Sequence, residues 1–270
     1  ITSIYQSIRV VCDLHVDPTN DPSTYYANWK ESVGWVLDQV ESVGARVSFL
    51  TGGWFAEETI GDAEGRDLLA RIYGLGGQIG THFHTEIRNP RTGDWTSGGT
   101  SRRVTEQAWE DNINWVNQAI EAAVPGVSAA DVNRVIGPGL PRDDESFMRD
   151  LFEEYGISIR EPGVDEDYRY WFDHYIWNPY RPSESNYLNE GLGAPLVQLV
   201  QGSVIGFQQV HHGVWHDQRV AQMKRQFLQL YLNWRYRQRQ GQAQKVWCFG
   251  WGGHAHDCDE DMALDGLRRE

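Results

Sequence analysis

Positive charge is scarce in this chain. Its 270 residues include 38 acidic and 24 basic side chains, a formal net charge of −14, and among the cations lysine occurs only as Lys30, Lys224 and Lys245. No cationic patch is evident, so neither nucleic acid nor anionic lipid is an expected partner. Long apolar runs are missing as well. The most apolar stretches, around Val10 and Phe49, have the length of a strand, whereas a membrane span needs roughly 18 apolar residues. No membrane span is expected. Cysteine is sparse: Cys12, Cys248 and Cys258 leave one thiol outside any intramolecular pairing, and Cys12 and Cys248 fall in strand-like runs where a buried free thiol is common. The count names no compartment. The sequence also lacks an internal repeat of fixed period and any low-complexity tract. It opens on Ile1, as a processed chain or an excised domain would, and a secreted or periplasmic location is the expectation.

What is present is ordinary globular composition, 40% hydrophobic and 23% charged, which suffices to bury one sizeable core, so a single domain over residues 1–270 is expected. Strand-like runs alternate with amphipathic helical runs, the pattern of parallel βα units. Ile8 to Val16 reads as a first strand. Trp29, Val33, Val36, Leu37 and Val40 follow at helical spacing, with Gly44 where a helix cap belongs. Ala45 to Thr51, Gln78 to Phe83, Val132 to Ile136, Ile157 to Ile159, Val197 to Val200, Val204 to Val210 and Lys245 to Trp251 read as further strands. Helices are expected over Asp67 to Tyr73, from Thr105 to Pro125, over Asp144 to Tyr155, and from about Asp217 to Arg239. The periodicity fails between Pro162 and Leu192, where Tyr168, Tyr170, Trp171, Phe172, Tyr175, Trp177 and Tyr180 crowd into an irregular segment of the kind that forms binding loops.

Ionisable groups concentrate at the ends of two expected strands. The first ends in Asp13-Leu14-His15-Val16-Asp17, and because a strand sends alternate side chains to one face, its three polar residues point together. Unpaired charges are costly to desolvate, so such a row binds a cation or belongs to a satisfied network. The third strand ends in Thr81-His82-Phe83-His84-Thr85-Glu86, again with polar groups two apart. Two neutral imidazoles there, joined by a carboxylate from a neighbouring strand, make a facial set for one divalent metal ion with positions open to water, and imidazole suits zinc.

The run Gly44-Ala45-Arg46-Val47-Ser48-Phe49-Leu50-Thr51-Gly52, followed by Leu75-Gly76-Gly77-Gln78-Ile79-Gly80-Thr81-His82, resembles the strand, helix and "G-x-x-I-G-x-H" region of the polysaccharide deacetylase (NodB-homology) family. The Asp-rich first strand stands where that family has its aspartate motif, and Val135-Ile136-Gly137-Pro138-Gly139 stands where it has an Arg-x-Pro-x-Gly type motif. The resemblance is clearest over Ile8 to Glu86 and fades beyond Gly163. It implies an α/β fold, a distorted parallel (β/α) barrel, and a metal-dependent hydrolase that removes N-acetyl or related acyl groups from glycans. Asp17, His82 and His84 are the metal ligands it suggests, with Glu86 or His15 as substitutes. Asp13, or failing it His15, would be the general base. A late histidine would protonate the leaving nitrogen, and His254, in Gly252-Gly253-His254-Ala255-His256-Asp257, is preferred to His211, His212 and His256. The family has adjacent aspartates, histidines four apart and an arginine, whereas here His15 separates the aspartates, His84 follows His82 at two, and Gly137 stands at the arginine's place with Arg142 as a positional substitute.

Trp177 and Tyr180 have two compatible readings, faces for sugar rings or a cover over the barrel mouth. A carbohydrate is the expected substrate, and no motif identifies a protein partner. The same first strand also resembles the Asp-x-His-x-His opening of amidohydrolase-like and phosphoesterase-like barrels, which often hold two metals. A catalytically silent carbohydrate-binding barrel is the remaining alternative.

Overall fold

The computed structural model describes residues 4–12, 22–83, 86–97, 106–138, 145–160, 176–183, 189–191, 196–199, 216–241 and 246–254. Nine strands and seven helices occur among them: β1 (Ile4–Cys12), α1 (Pro22–Ser42), β2 (Val47–Thr51), α2 (Gly53–Gly61), α3 (Ala63–Gly74), β3 (Gln78–Phe83), β4 (Glu86–Arg88), β5 (Trp95–Ser97), α4 (Glu106–Ala123), α5 (Ala129–Val132), β6 (Val135–Pro138), α6 (Glu145–Glu154), β7 (Ile159–Arg160), β8 (Val197–Gln198), α7 (His216–Arg239) and β9 (Trp247–His254).

Local chemistry sets several boundaries. α1 turns its apolar stripe, Tyr26, Trp29, Val33, Val36, Leu37 and Val40, into the core. It stops at Gly44, whose φ of +65° only glycine adopts without strain, with Gly44 N–H donating to the Glu41 carbonyl and Ala45 N–H to that of Val40. The same paired bonds close α3 at Gly76 and α6 at Gly156. These three motifs feed the chain directly into β2, β3 and β7. At the other end of α3, the Asp62 carboxylate accepts from the Glu64 and Gly65 N–H groups, each at 3.2 Å, which satisfies donors that the first turn leaves free. Lys30 and the Tyr26 hydroxyl of α1 donate to the same carboxylate at 2.7 and 3.0 Å, tying the two helices together. Burial, with the Asp62 charge beside it, pushes the Tyr26 hydroxyl up to about 12.

Seven strands form one parallel sheet in the order β8-β7-β6-β3-β2-β1-β9. Successive strands are therefore neighbours, and the last returns beside the first. Such an order requires crossover connections of one hand, which stacks the helices on one face of the sheet. The apolar clusters agree. Val47, Phe49 and Ile79 pack with α1, α2, α3 and α4, while Ile136 packs with Ala108, Trp109 and Ile113 of α4 and Leu151 and Phe152 of α6. Among the described residues no ladder joins β8 to β9, so the fold is established as α/β with a parallel sheet.

Several expectations shift. The described part of β1 runs Ile4–Cys12 rather than Ile8 to Val16, and the last strand runs to His254 rather than stopping at Trp251. α3 begins at Ala63, four residues before the periodicity suggested, because the Asp62 cap adds a turn. The sequence reading missed α2 altogether, since its Gly52-Gly53 start looks like a loop. It also missed α5 and the β4–β5 hairpin, in which Glu86 pairs with Ser97, Ile87 with Thr96 and Arg88 with Trp95. The expected strand over Val204 to Val210 lies outside the described residues.

Candidate functional site

Because every strand of the large sheet runs the same way, the C-terminal ends share one edge, the place where α/β proteins carry their chemistry. Phe49, Thr51, Ile79 and Thr81 alternate toward the helices, and Leu50, Gly80 and His82 occupy the opposite face. Along the sheet the register makes a continuous row: His254 of β9 pairs with Val11, Val11 with Leu50, and Leu50 with Gly80. His82 stands two residues beyond Gly80 on the same face and pairs with Gly137 of β6.

His82 is buried, and its ring lies against Gly137. A Cβ at Gly137 would lie 2.5 Å from His82 Nδ1 and 3.1 Å from a Leu50 methyl; one at Gly80 would lie 2.5 Å from the other Leu50 methyl and press on the Val135 carbonyl. Gly52, at the end of β2, would bring a Cβ 3.4 Å from the His82 carbonyl. Of these three glycines, only Gly137 lies against the imidazole itself; Gly80 makes room for Leu50 and the Val135 carbonyl, and a Cβ at Gly52 would be in ordinary contact with the His82 backbone. A side chain at 137 would collide with the His82 ring unless one of them shifted.

The loops at this edge are pinned by a polar residue that the sequence reading did not single out. Asn112 of α4 is fully buried and accepts from Gly53 N–H at 2.7 Å while donating to the Glu86 carbonyl at 3.1 Å and the Ala108 carbonyl at 2.8 Å. One side chain thereby ties the start of α2 to the start of β4. Its signal was available: Asn112 interrupts the apolar stripe Trp109, Ile113, Val116 and Ile120. The hairpin is held by Glu57 of α2, which accepts two bonds from Arg88 at 3.0 and 2.9 Å and one from Trp95 Nε1 at 2.6 Å. The Arg88 guanidinium in turn lies 5.1 Å from the Trp115 ring centre.

Of the residues expected to act, His82 and the candidate substitute Glu86 are both buried and stand at the two ends of the β3 to β4 connection. His254 is the last residue of β9, at the register position beside Val11, rather than in the loop after the strand. Asp13, His15, Asp17, His84, Arg142, His211, His212 and His256 lie outside the described residues. Among the described residues no group of three or more His, Cys, Asp or Glu is gathered as a metal site would be. The fit to a metal rests on His82, a buried imidazole at a strand's C-terminal end beside Gly137. Trp177 is 2% exposed and packs with Leu230 of α7 and Trp247 of β9, and Tyr180 is buried beside Gln198 of β8. Of the two readings of these aromatics, the described contacts of Trp177 are those of packing.

No protein-family model matches the sequence, and no curated protein does. Among the solved structures similar to this chain are the following two. One is a Mycobacterium smegmatis protein assigned as a polysaccharide deacetylase, at 13% identity and a TM-score of 0.48, covering 98% of this chain and 82% of that one. The other is 4-alpha-glucanotransferase from Thermococcus litoralis, at 10% identity and a TM-score of 0.52, covering 98% of this chain and 35% of that one. At such identities the second likeness concerns the α/β fold alone. No helix among the described residues is long and apolar enough to cross a membrane.

Proposed function

We propose that this chain is a metal-dependent hydrolase that removes N-acetyl or related acyl groups from a polysaccharide or oligosaccharide, built on a distorted parallel (β/α) barrel. The observation that carries the reading is the placement of His82: a buried imidazole at the C-terminal end of β3, two residues beyond the register row that ends at the His254 position, in a motif that resembles the deacetylase signature. The singly wound strand order, with β9 beside β1, is what a barrel requires.

In this reading Asp17, His82 and His84 hold one divalent ion, zinc by the chemistry of the donors. When bound, the ion polarises the acyl carbonyl and acidifies a water. Asp13, with His15 as its substitute, takes the proton from the attacking water. His254 gives a proton to the departing amine nitrogen, so that the amide C–N bond breaks to a free amine and a carboxylate. Arg142, Tyr180 and Trp177 are the candidate contacts to the sugar, Trp177 only if it is released from its packing. Gly137 leaves room for the His82 ring beside β6, and a ligand's orientation is set by such neighbours.

A second reading, a carbohydrate-binding barrel without catalysis, is favoured by Gly137, because it stands at the family arginine's place, where a side chain would collide with the His82 ring unless one of them shifted. One set of measurements separates the readings. Purified protein should hold close to one zinc per chain, lose it in His82→Ala, Asp17→Ala and His84→Ala variants that remain folded, and release acetate from N-acetylated oligosaccharides in a chelator-sensitive, metal-restorable way. Full activity after complete metal removal would overturn the mechanism. Glycan binding without acetate release in the presence of metal would favour the silent barrel, and two tightly held ions the amidohydrolase-like alternative.

A further inference from the structure

The helix α7 carries a surface that this hydrolase reading does not use. Its inward side is Gln226, Phe227, Leu230 and Trp234, with Leu230 packed on Trp177 and Trp247. On the outward side Leu228 is 52% exposed, Tyr231 37%, Leu232 57% and Tyr236 61%. These positions recur at three and four residues, so they form one continuous apolar stripe along the helix. Exposed Lys224, Arg225, Arg235 and Arg239 border the stripe at both ends and along its flank, and the Arg235 guanidinium lies 5.9 Å from the Tyr231 ring centre. With Arg219 and Arg237, the helix carries these cations against the single carboxylate of Asp217. The expectation that the chain has no cationic patch is thus corrected, because helical periodicity gathers cations that overall composition averages away.

We infer that this outward face of α7 rests on an anionic lipid surface, with Leu228 and Leu232 entering the headgroup boundary. Tyr231 and Tyr236 would lie at the interface, and the arginine and lysine heads would reach out to the lipid phosphates. Charge and shape select this occupant. A second copy docking α7 against α7 would set cation against cation in either direction, since the exposed stretch from Lys224 to Arg239 contains no carboxylate. Peptides that dock through apolar side chains generally enter a groove, whereas a single outer helix is convex and suits a soft plane. A nucleic acid offers nothing to the leucines at the centre of the stripe.

The test is vesicle flotation with the full chain. The protein should float with phosphatidylcholine vesicles carrying about a third phosphatidylglycerol, remain behind with phosphatidylcholine alone, and be released as salt shortens the reach of the charges. Leu228→Gln with Leu232→Gln should weaken binding about tenfold or more. Arg225→Gln with Arg239→Gln should weaken it by about 25-fold, roughly fivefold for each cation lost. Both pairs are exposed, so thermal unfolding should be unchanged, which separates lost binding from lost fold. Failure to float at low salt would overturn the inference, as would flotation that neither pair reduces. A dimer in solution that the leucine pair dissolves would also overturn it, assigning the face to a second copy. None of these outcomes bears on acetate release, so this inference and the hydrolase reading stand or fall separately.

Discussion

Replacing Gly137 by alanine probes the packing of His82 without touching any candidate ligand. The added methyl would lie 2.5 Å from His82 Nδ1 and 3.1 Å from Leu50 Cδ1, where ordinary contact is 3.4 Å or more. The ring must therefore move by most of an ångström, or β6 must lift from β3. Overpacking of this kind costs about 1–3 kcal/mol, which in a chain of this size lowers the melting temperature by roughly 2–4 °C per kcal/mol. The clash is with a ring rather than with backbone, so it should be conditional. In a His82→Ala background the contact to Nδ1 disappears, only the Leu50 contact remains, and the cost of Gly137→Ala should fall, giving a coupling of about 1–2 kcal/mol in a double-mutant cycle. Urea unfolding of the four proteins measures this directly. If His82 holds a metal, the single Gly137→Ala variant should also bind zinc more weakly with all proposed ligands intact. Equal cost of Gly137→Ala in both backgrounds would refute the packing of His82 over Gly137.

Three further outcomes are expected. Asp62→Ala removes the α3 cap and the acceptor for Lys30 and Tyr26, at a cost of about 1–2 kcal/mol. Since Lys30, above all, holds the Asp62 carboxyl below the ordinary carboxylate range, its stabilisation is fully present above that range and is lost as pH falls through the lowered folded value; stability-versus-pH curves of wild type and variant should converge in acid, and parallel curves would refute it. Asn112→Ala leaves the buried Gly53 N–H without its acceptor and should cost about 1–3 kcal/mol, with faster hydrogen exchange at the start of α2; unchanged exchange there would refute the clamp. Trp177→Ala opens a cavity against Leu230 and Trp247 and should cost about 3–5 kcal/mol; lost saccharide affinity at an unchanged melting temperature would instead make it a sugar platform.

The order of the large elements was legible because it is written in local periodicity. The stripe from Trp29 to Val40, the break at Gly44 and the run Gln78 to Phe83 correspond to α1, its glycine cap and β3. α2 was not legible, since a helix beginning at Gly53 looks like a loop until Asn112, distant in sequence, takes up the Gly53 N–H. The β4–β5 hairpin was hidden for a similar reason: its strands are three residues long and are held in place by Glu57 from another element.

The candidate site divides along the same line. The sequence by itself determined that histidines and carboxylates stand in alternation near the ends of two strand-like runs, because alternation is a property of consecutive residues. Only the tertiary structure decided that the His254 position joins the row of Val11, Leu50 and Gly80, since the pairing of β9 with β1 links residues from opposite ends of the chain. It alone decided that Gly137 lies against the His82 ring, that Trp177 faces Trp247, and that the cations of α7 border an exposed apolar stripe. Each of those facts depends on distances between residues remote in the chain, or on which side of a helix the core covers, and neither quantity is carried by spacing along the sequence.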